Sequence, residues 1–284
     1  MSAGVIDFHL HTTASDGLCE PAALVDLAWR AGIRTMSVTD HDTVAGLAEV
    51  ERAAEAAGIA FVPGIEITAV HGGRDVHVLG YFIDRHDAAL EAFLEQQRAD
   101  RLRRVNAMAD KLSAIGRPID RRAFLSSRSK GRSVGRPMVA RGLVKAGHVP
   151  DVRQAFEQLI GEGQPAFVPR SGPGPAGVID IIKRAGGVAS LAHPALLKRD
   201  DLIPAMIDAG LTAVEAFHSD HDAAATDHYL ALAERHGILV SGGSDYHGEK
   251  ERRRAAFGTV GLPANCFQRL AERARRKAEW QPHC

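Results

Sequence analysis

Short apolar runs alternate with longer amphipathic stretches from the start of the chain. The runs predict strands over Val5 to His9, Thr35 to Thr39, Ile59 to Val62 with Ile65 to Thr68 close behind, Val76 to Phe82, Val188 to Ala192, Thr212 to Ala216 and Ile238 to Ser241. Helical periodicity lies between them over Pro21 to Ala31, Val44 to Ala57, Gly177 to Ala185, Leu202 to Ala209 and Ala223 to His236. A glycine closes each of these helices, as expected where a chain leaves a helix through the left-handed conformation. The β-α repetition predicts an α/β fold on a parallel sheet or barrel.

Between about Asp84 and Val168 the strand pattern stops and helical periodicity takes over, with helices over Leu90 to Ile115, Pro137 to Ala146 and Val152 to Ile160. The expected organisation is a barrel begun by residues 1–90, a small helical insertion over 91–165 and a barrel completed by 166–284.

Composition narrows the class. The chain has 284 residues, 45% apolar and 25% charged, an ordinary balance for a folded domain and unlike a disordered or fibrous chain. No run approaches the roughly 18 apolar residues of a membrane span, and no signal-like segment opens the sequence, so a cytoplasmic location is expected. The three cysteines, Cys19, Cys266 and Cys284, are far apart and in no C-x-x-C spacing. Any metal would take nitrogen and oxygen ligands.

The zero formal net charge conceals a division along the chain. Residues 1–97 hold 5 basic and 15 acidic side chains, residues 98–141 hold 13 basic and 3 acidic, and the remainder is balanced. Arg98, Arg101, Arg103 and Arg104 read as a solvated helix face. Arg128, Lys130, Arg132 and Arg136 lie in the Gly- and Ser-rich segment "SSRSKGRSVGRP", a basic loop suited to an anion such as phosphate.

The chemistry-bearing residues recur at strand ends. In "IDFHLHTTASDG" (6–17) strand alternation puts Asp7, His9 and His11 on one side and Ile6, Phe8 and Leu10 on the other, with Asp16 in the loop that follows. One H-x-H alone is equally a pair of hydrogen-bonded histidines. His41, Glu66, His77, His193, Asp245 and His247 also lie in or just past apolar strands, where β/α barrels carry their sites. Nine such ligands exceed what one ion uses, so the arithmetic predicts two or three divalent ions sharing a carboxylate.

With HLH at 9–11, TDHDT at 39–43, GIE at 64–66, His77, LAHP at 191–194 and GSDYH at 243–247, the sequence resembles the PHP (polymerase and histidinol phosphatase) superfamily over nearly its whole length. "GRPMVARGLV" (135–144) and "GQPAFVP" (163–169) resemble the branch acting on nucleotide or RNA 3′,5′-phosphates. The resemblance implies a distorted (β/α)7 barrel with three metals: one held by His9, His11, Glu66 and Asp245; a second by Glu66 as bridge, His77 and His193; a third by Asp16, His41 and His247. Two departures bear on the substrate: Met138 replaces a frequent histidine, and "RSGPGP" (170–175) replaces a tryptophan-proline turn.

The implied function is hydrolysis, by metal-activated hydroxide attack on phosphorus, of nucleoside 3′,5′-bisphosphates or short 5′-phosphorylated single-stranded RNA, with Mn2+ expected and Zn2+ or Fe2+ as alternatives. The absence of a G-x-S-x-G or P-loop signature agrees with a reaction lacking a protein nucleophile. Little aromatic content and zero net charge argue against long duplex DNA. Arg132, Arg136 and Arg170 are candidate phosphate clamps or simply solvated; His218 is a candidate proton donor or part of the barrel mouth. Asp40 either orients a ligand histidine or caps the helix near Val44. Alternatives from other classes are a histidinol-phosphate or sugar-phosphate phosphatase and a non-catalytic metal-binding module. An amidohydrolase is a further one, disfavoured because no lysine occurs in the first 110 residues to bridge two metals.

Overall fold

The computed structural model describes residues 4–122, 124, 126, 130–248 and 252–279. Arg128 of the basic loop and Cys284 lie outside them. Seven strands form one sheet in chain order: β1 (Val5–Asp7), β2 (Ile33–Val38), β3 (Ala60–His71), β4 (Arg74–Tyr81), β5 (Val188–Leu191), β6 (Ala213–His218) and β7 (Leu239–Gly243). The sheet's two edges meet just past β1 and β7. There Phe8 N–H donates to the Gly242 carbonyl (3.2 Å), His11 N–H donates to that of Tyr246 (3.0 Å), and Leu10 bridges Tyr246. The α/β class and the barrel-like arrangement agree with expectation.

The pairing is parallel except at β4, which runs antiparallel to both β3 and β5. A uniformly parallel sheet was the expectation from alternation. Gly72 and Gly73, with φ of 57° and 78°, make a two-residue turn that needs no crossover helix, so the chain reverses at once. The two apolar runs expected around residue 62 are one continuous strand, β3.

Helices α1 (Pro21–Arg30), α2 (Leu47–Ala57), α3 (Ala88–Ala114), α4 (Arg136–Lys145), α5 (Pro175–Arg184), α6 (Ala223–His236) and α7 (Ala264–Glu279) are the longer helical elements. Proline at the first turn opens α1 and α5, and Asp87 caps α3 by accepting from Leu90 N–H at 2.7 Å. The helix expected over Val152 to Ile160 is an α-helical turn, Val152–Ala155, continued as a π-helix over Phe156–Ile160.

Three hydrophobic clusters follow. The largest lies between the outer face of the sheet and its helices, including Leu24, Val50, Ile65, Val78 and Ile182. A second, from Leu102 to Ala166, is built by the later half of α3 with α4 and its neighbours, whereas Leu90 and Leu94 at the start of α3 belong to the first. A third gathers Ile6, Phe8, Leu79 and Tyr81 under Leu270 and Phe267 of α7, a helix not foreseen from the sequence. It covers the end where β1, β5, β6 and β7 begin. Among the described residues no helix is long and apolar enough to cross a membrane, and Cys19 and Cys266 are free thiols.

The first strand is shorter than expected. β1 stops at Asp7, whose carboxylate accepts N–H groups from His9 (3.2 Å) and Ser244 (2.9 Å). Phe8 therefore packs on Tyr81 with Ile6, while Leu10 joins the helix-covered cluster, and the simple alternation of 6–11 does not hold. Burial pushes Asp7 up to about 6 against the pull of those bonds. Because its folded pKa lies above the unfolded one, its favourable contribution is complete below about pH 4 and is lost as pH rises through 6. Relative to wild type, metal-free Asp7→Asn should gain stability, on the order of 2–3 kcal/mol, between pH 4 and 7. Denaturant unfolding of both proteins across that range checks this; a pH-independent difference would refute it.

Candidate metal centre and arginine pocket

Glu66 stands at the middle of the site. It is fully buried in β3, and its two oxygens face different partners. Oε2 lies 3.2 Å from His9 Nε2, His11 Nε2 and His41 Nδ1, and Oε1 lies 2.7 Å from His77 Nδ1 and 3.1 Å from His193 Nε2. Opposite Oε2, Asp245 Oδ1 is 3.4 Å from His9 Nε2 and 3.2 Å from His11 Nε2. Asp16 faces His247 Nε2 at 3.3 Å and His41 Nε2 at 3.8 Å. All nine residues singled out in the sequence thus come together, and His41 stands between two groups, nearer Glu66 than Asp16.

The donor set fits divalent ions. The 3.2–3.4 Å contacts around His9, His11, Glu66 and Asp245 match the edge of a tetrahedron with bonds of about 2.0–2.1 Å. Both ring nitrogens of His11 and Nδ1 of His41 are buried without a well-aligned hydrogen bond, the signature of polar atoms whose partner is an ion. Several second nitrogens are committed elsewhere: His9 Nδ1 to Glu215 Oε1 at 2.9 Å, and His247 Nδ1 to the Asp245 carbonyl at 2.9 Å. Each acceptor fixes the proton on Nδ1 and turns the Nε2 lone pair inward.

Electrostatics agree. Burial alone would raise Glu66, but His41, His77 and His9 outweigh it and hold its carboxyl well below the carboxylate range; His41 and His247 do the same for Asp16. Burial would lower His11, but Asp245 and Glu66 carry it up to about 10. Ionised carboxylates thus sit in a buried cluster that calls for positive charge.

His218, at the end of β6, is buried with Nε2 3.3 Å from Asp245 Oδ2. Its Nδ1 accepts Asp220 N–H at 3.0 Å, so the neutral ring carries its proton on Nε2, facing the site.

Beside the cluster lies a cavity of about 140 Å³ walled by Asp16, His41 and His77 on one side and Arg101, Arg104, Arg136 and Arg170 on the other. Asp42, between His41 and Thr43, binds both Arg101 and Arg170 (2.8 Å to Arg170), and Asp75 binds Arg104 (3.4 Å) and Arg136 (3.2 Å). The two arginines hold Asp42 well below the carboxylate range against its burial. Burial takes Arg104 down to about 10, opposed by Asp75. Arg136 also lies 5.8 Å from the Phe156 ring centroid, in the π-helical turn.

Four sequence expectations need correction. Arg132 is not among the residues walling the cavity: it pairs with Glu20 at 2.9 Å, because Ser133 N–H anchors its loop on the Ala14 carbonyl. Arg101 and Arg104 are no solvated face, since α3 turns them onto Asp42 and Asp75. Asp40 neither caps α2 nor touches a ligand imidazole; it ties the loop after His11, accepting from Thr12 N–H (2.8 Å), Thr12 Oγ1 (2.6 Å) and Ser15 Oγ (2.6 Å). Met138 packs into the second cluster and is not among the residues walling the cavity. Sequence reasoning missed Glu215, Asp42 and Asp75. For Glu215 there was a signal: a lone carboxylate inside the apolar strand "TAVEAF".

Comparison with known proteins bears on this site. The PHP domain family matches residues 7–127. The 3′,5′-nucleoside bisphosphate phosphatase of Chromobacterium violaceum is 32% identical over 285 residues, covering 96% of this chain and 99% of that protein. The 5′-3′ exoribonuclease of Escherichia coli is 32% identical over 254 residues, 86% of each chain. A crystal structure from Bifidobacterium adolescentis, of a protein described as a metal-dependent phosphoesterase, matches with a TM-score of 0.86 at 32% identity over 95% of this chain and 96% of its own.

Proposed function

This chain belongs to the PHP domain family, and from that premise we propose that it is a metal-dependent phosphoesterase that hydrolyses the 3′-phosphate of nucleoside 3′,5′-bisphosphates, releases nucleotides from short 5′-phosphorylated RNA, or does both. The observation that carries the reading is one cavity walled on one side by His41 and His77, the imidazoles facing the two oxygens of Glu66, and on the other by four arginines. A cluster of ionised carboxylates and a cluster of guanidinium groups sharing one cavity suit a ligand with two separated anionic groups.

In this reading His9, His11, Glu66 and Asp245 hold one ion, Glu66 with His77 and His193 a second, and Asp16, His41 and His247 a third. Manganese is the expected ion, and zinc or iron suits the same nitrogen and oxygen donors. Bound divalent ions would acidify water and polarise the phosphoryl oxygen. The protein's own groups do the rest. Arg101, Arg104, Arg136 and Arg170 bind the phosphate that is not cleaved, and their anchoring on Asp42 and Asp75 orients the guanidinium groups before substrate arrives. His218 gives its Nε2 proton to the leaving oxygen, with the Asp220 amide keeping that proton in place. A cytoplasmic location is part of this reading.

The test is turnover by manganese-loaded and chelator-stripped protein on adenosine 3′,5′-bisphosphate, a short 5′-phosphorylated RNA and histidinol phosphate. Manganese-dependent phosphate release from the bisphosphate, or laddering of the RNA from its 5′ end, is expected. Turnover of histidinol phosphate alone would overturn the nucleotide reading.

A further inference from the structure

Glu215 lies outside the nine clustered side chains, yet it touches two of their residues from the far side. It is fully buried in β6 and both of its oxygens are used. Oε1 accepts from His9 Nδ1 at 2.9 Å, and Oε2 accepts the backbone N–H of His193 at 2.7 Å. His193 has φ +29° and ψ 58°, a backbone geometry unfavourable for a residue with a side chain, at the turn that aims its imidazole at Glu66 Oε1.

From this arrangement we infer that Glu215 is a positioning residue that sets the histidine geometry of two ion sites at once: the tautomer of His9 in the first and the backbone turn of His193 in the second. The inference rests on the metal reading given above. A backbone N–H meets one Glu215 oxygen and an imidazole Nδ1 the other, so the carboxylate is placed as an acceptor on both sides.

Glutamine at 215 breaks this arrangement on one side only. A backbone N–H can only donate, so His193 claims the amide oxygen of a glutamine at 215. The amide NH2 then faces His9 Nδ1, which must become an acceptor. His9 would carry its proton on Nε2, the nitrogen that faces Glu66 and Asp245, and that lone pair would no longer be available to an ion. Aspartate keeps the charge and the acceptor character at both oxygens while shortening the reach.

The experiment compares wild type, Glu215→Gln and Glu215→Asp by manganese stoichiometry after dialysis, by competition against a chelator, and by nitrogen-15 detection of the imidazole tautomers in the metal-free proteins. Glu215→Gln should lose about 10- to 100-fold in affinity at one site, move one histidine from the Nδ1–H to the Nε2–H form, and unfold near the wild-type temperature. Glu215→Asp should recover part of the affinity with the wild-type tautomer. Unchanged affinity and tautomer in Glu215→Gln, with wild type binding manganese, would overturn the inference alone; a wild type that binds no ion would take the metal reading down with it. If Glu215→Gln fails to fold, tautomer and affinity in Glu215→Asp decide: an Nε2–H form of His9 in that variant would refute the inference.

Discussion

Glu66→Gln should cost on the order of 10⁴-fold in turnover while leaving the fold in place. Two ions share this carboxylate in the proposed site, and loss of each removes several kcal/mol of transition-state stabilisation, at tenfold per 1.4 kcal/mol. Glutamine has the same shape, but its NH2 faces one of two imidazole sets, either His9, His11 and His41 or His77 and His193, whose nitrogens all lie within 3.2 Å of a carboxylate oxygen. Whichever way it turns, one set loses its anion. Turnover at saturating manganese, with metal content measured on the same samples, is the check. A variant that kept most of its activity while binding fewer ions would remove Glu66 from its bridging role.

Asp42→Asn should cost about 3–5 kcal/mol of stability, an effect larger than any surface charge change would give. Arg101 and Arg170 are both buried and both end on this carboxylate, so its loss strands two cations rather than one. Asparagine is the informative replacement because Asp42 has φ +52°, which asparagine tolerates and alanine does not. Adding Arg170→Leu should restore part of the loss, since the charge left without a partner is removed with it. Chemical denaturation of the single and double variants measures both terms. If Asp42→Asn unfolds with wild type, the two arginines are solvated or held by other acceptors, and Asp42 does not anchor them.

Legibility from the sequence followed the range of the interactions. The ligand residues were legible because each sits at the end of an apolar strand, and a barrel carries such ends to one place. Asp7, His9 and His11 were read with the right convergence for the histidines but the wrong alternation, because a carboxylate bonding to His9 N–H two residues on ends the strand and no periodicity records that bond. Arg101 and Arg104 were read as solvated because helix spacing says which residues share a face and nothing of what that face meets. Their partners are 59 and 29 residues away. Arg132 and Arg136 are alike in composition and opposite in outcome, one held by Glu20 and the other by Asp75. Glu215 could have been weighed from its apolar flanks, although its two partners could not have been named.

The reversal at Gly72 and Gly73 decides where the helical insertion stands on the sheet. Because β4 runs backwards, the chain leaves the sheet at the end covered by α7, away from the ligands, and α3 must climb the whole barrel. Its 27 residues span about 40 Å, about the length of β3, and its later half sets the second cluster against the arginine cavity. Had β4 been parallel, the same helix would have descended and left the mouth bare. Two glycines thus decide that the arginines of α3 and α4 stand at the end of the sheet that carries the ligand histidines.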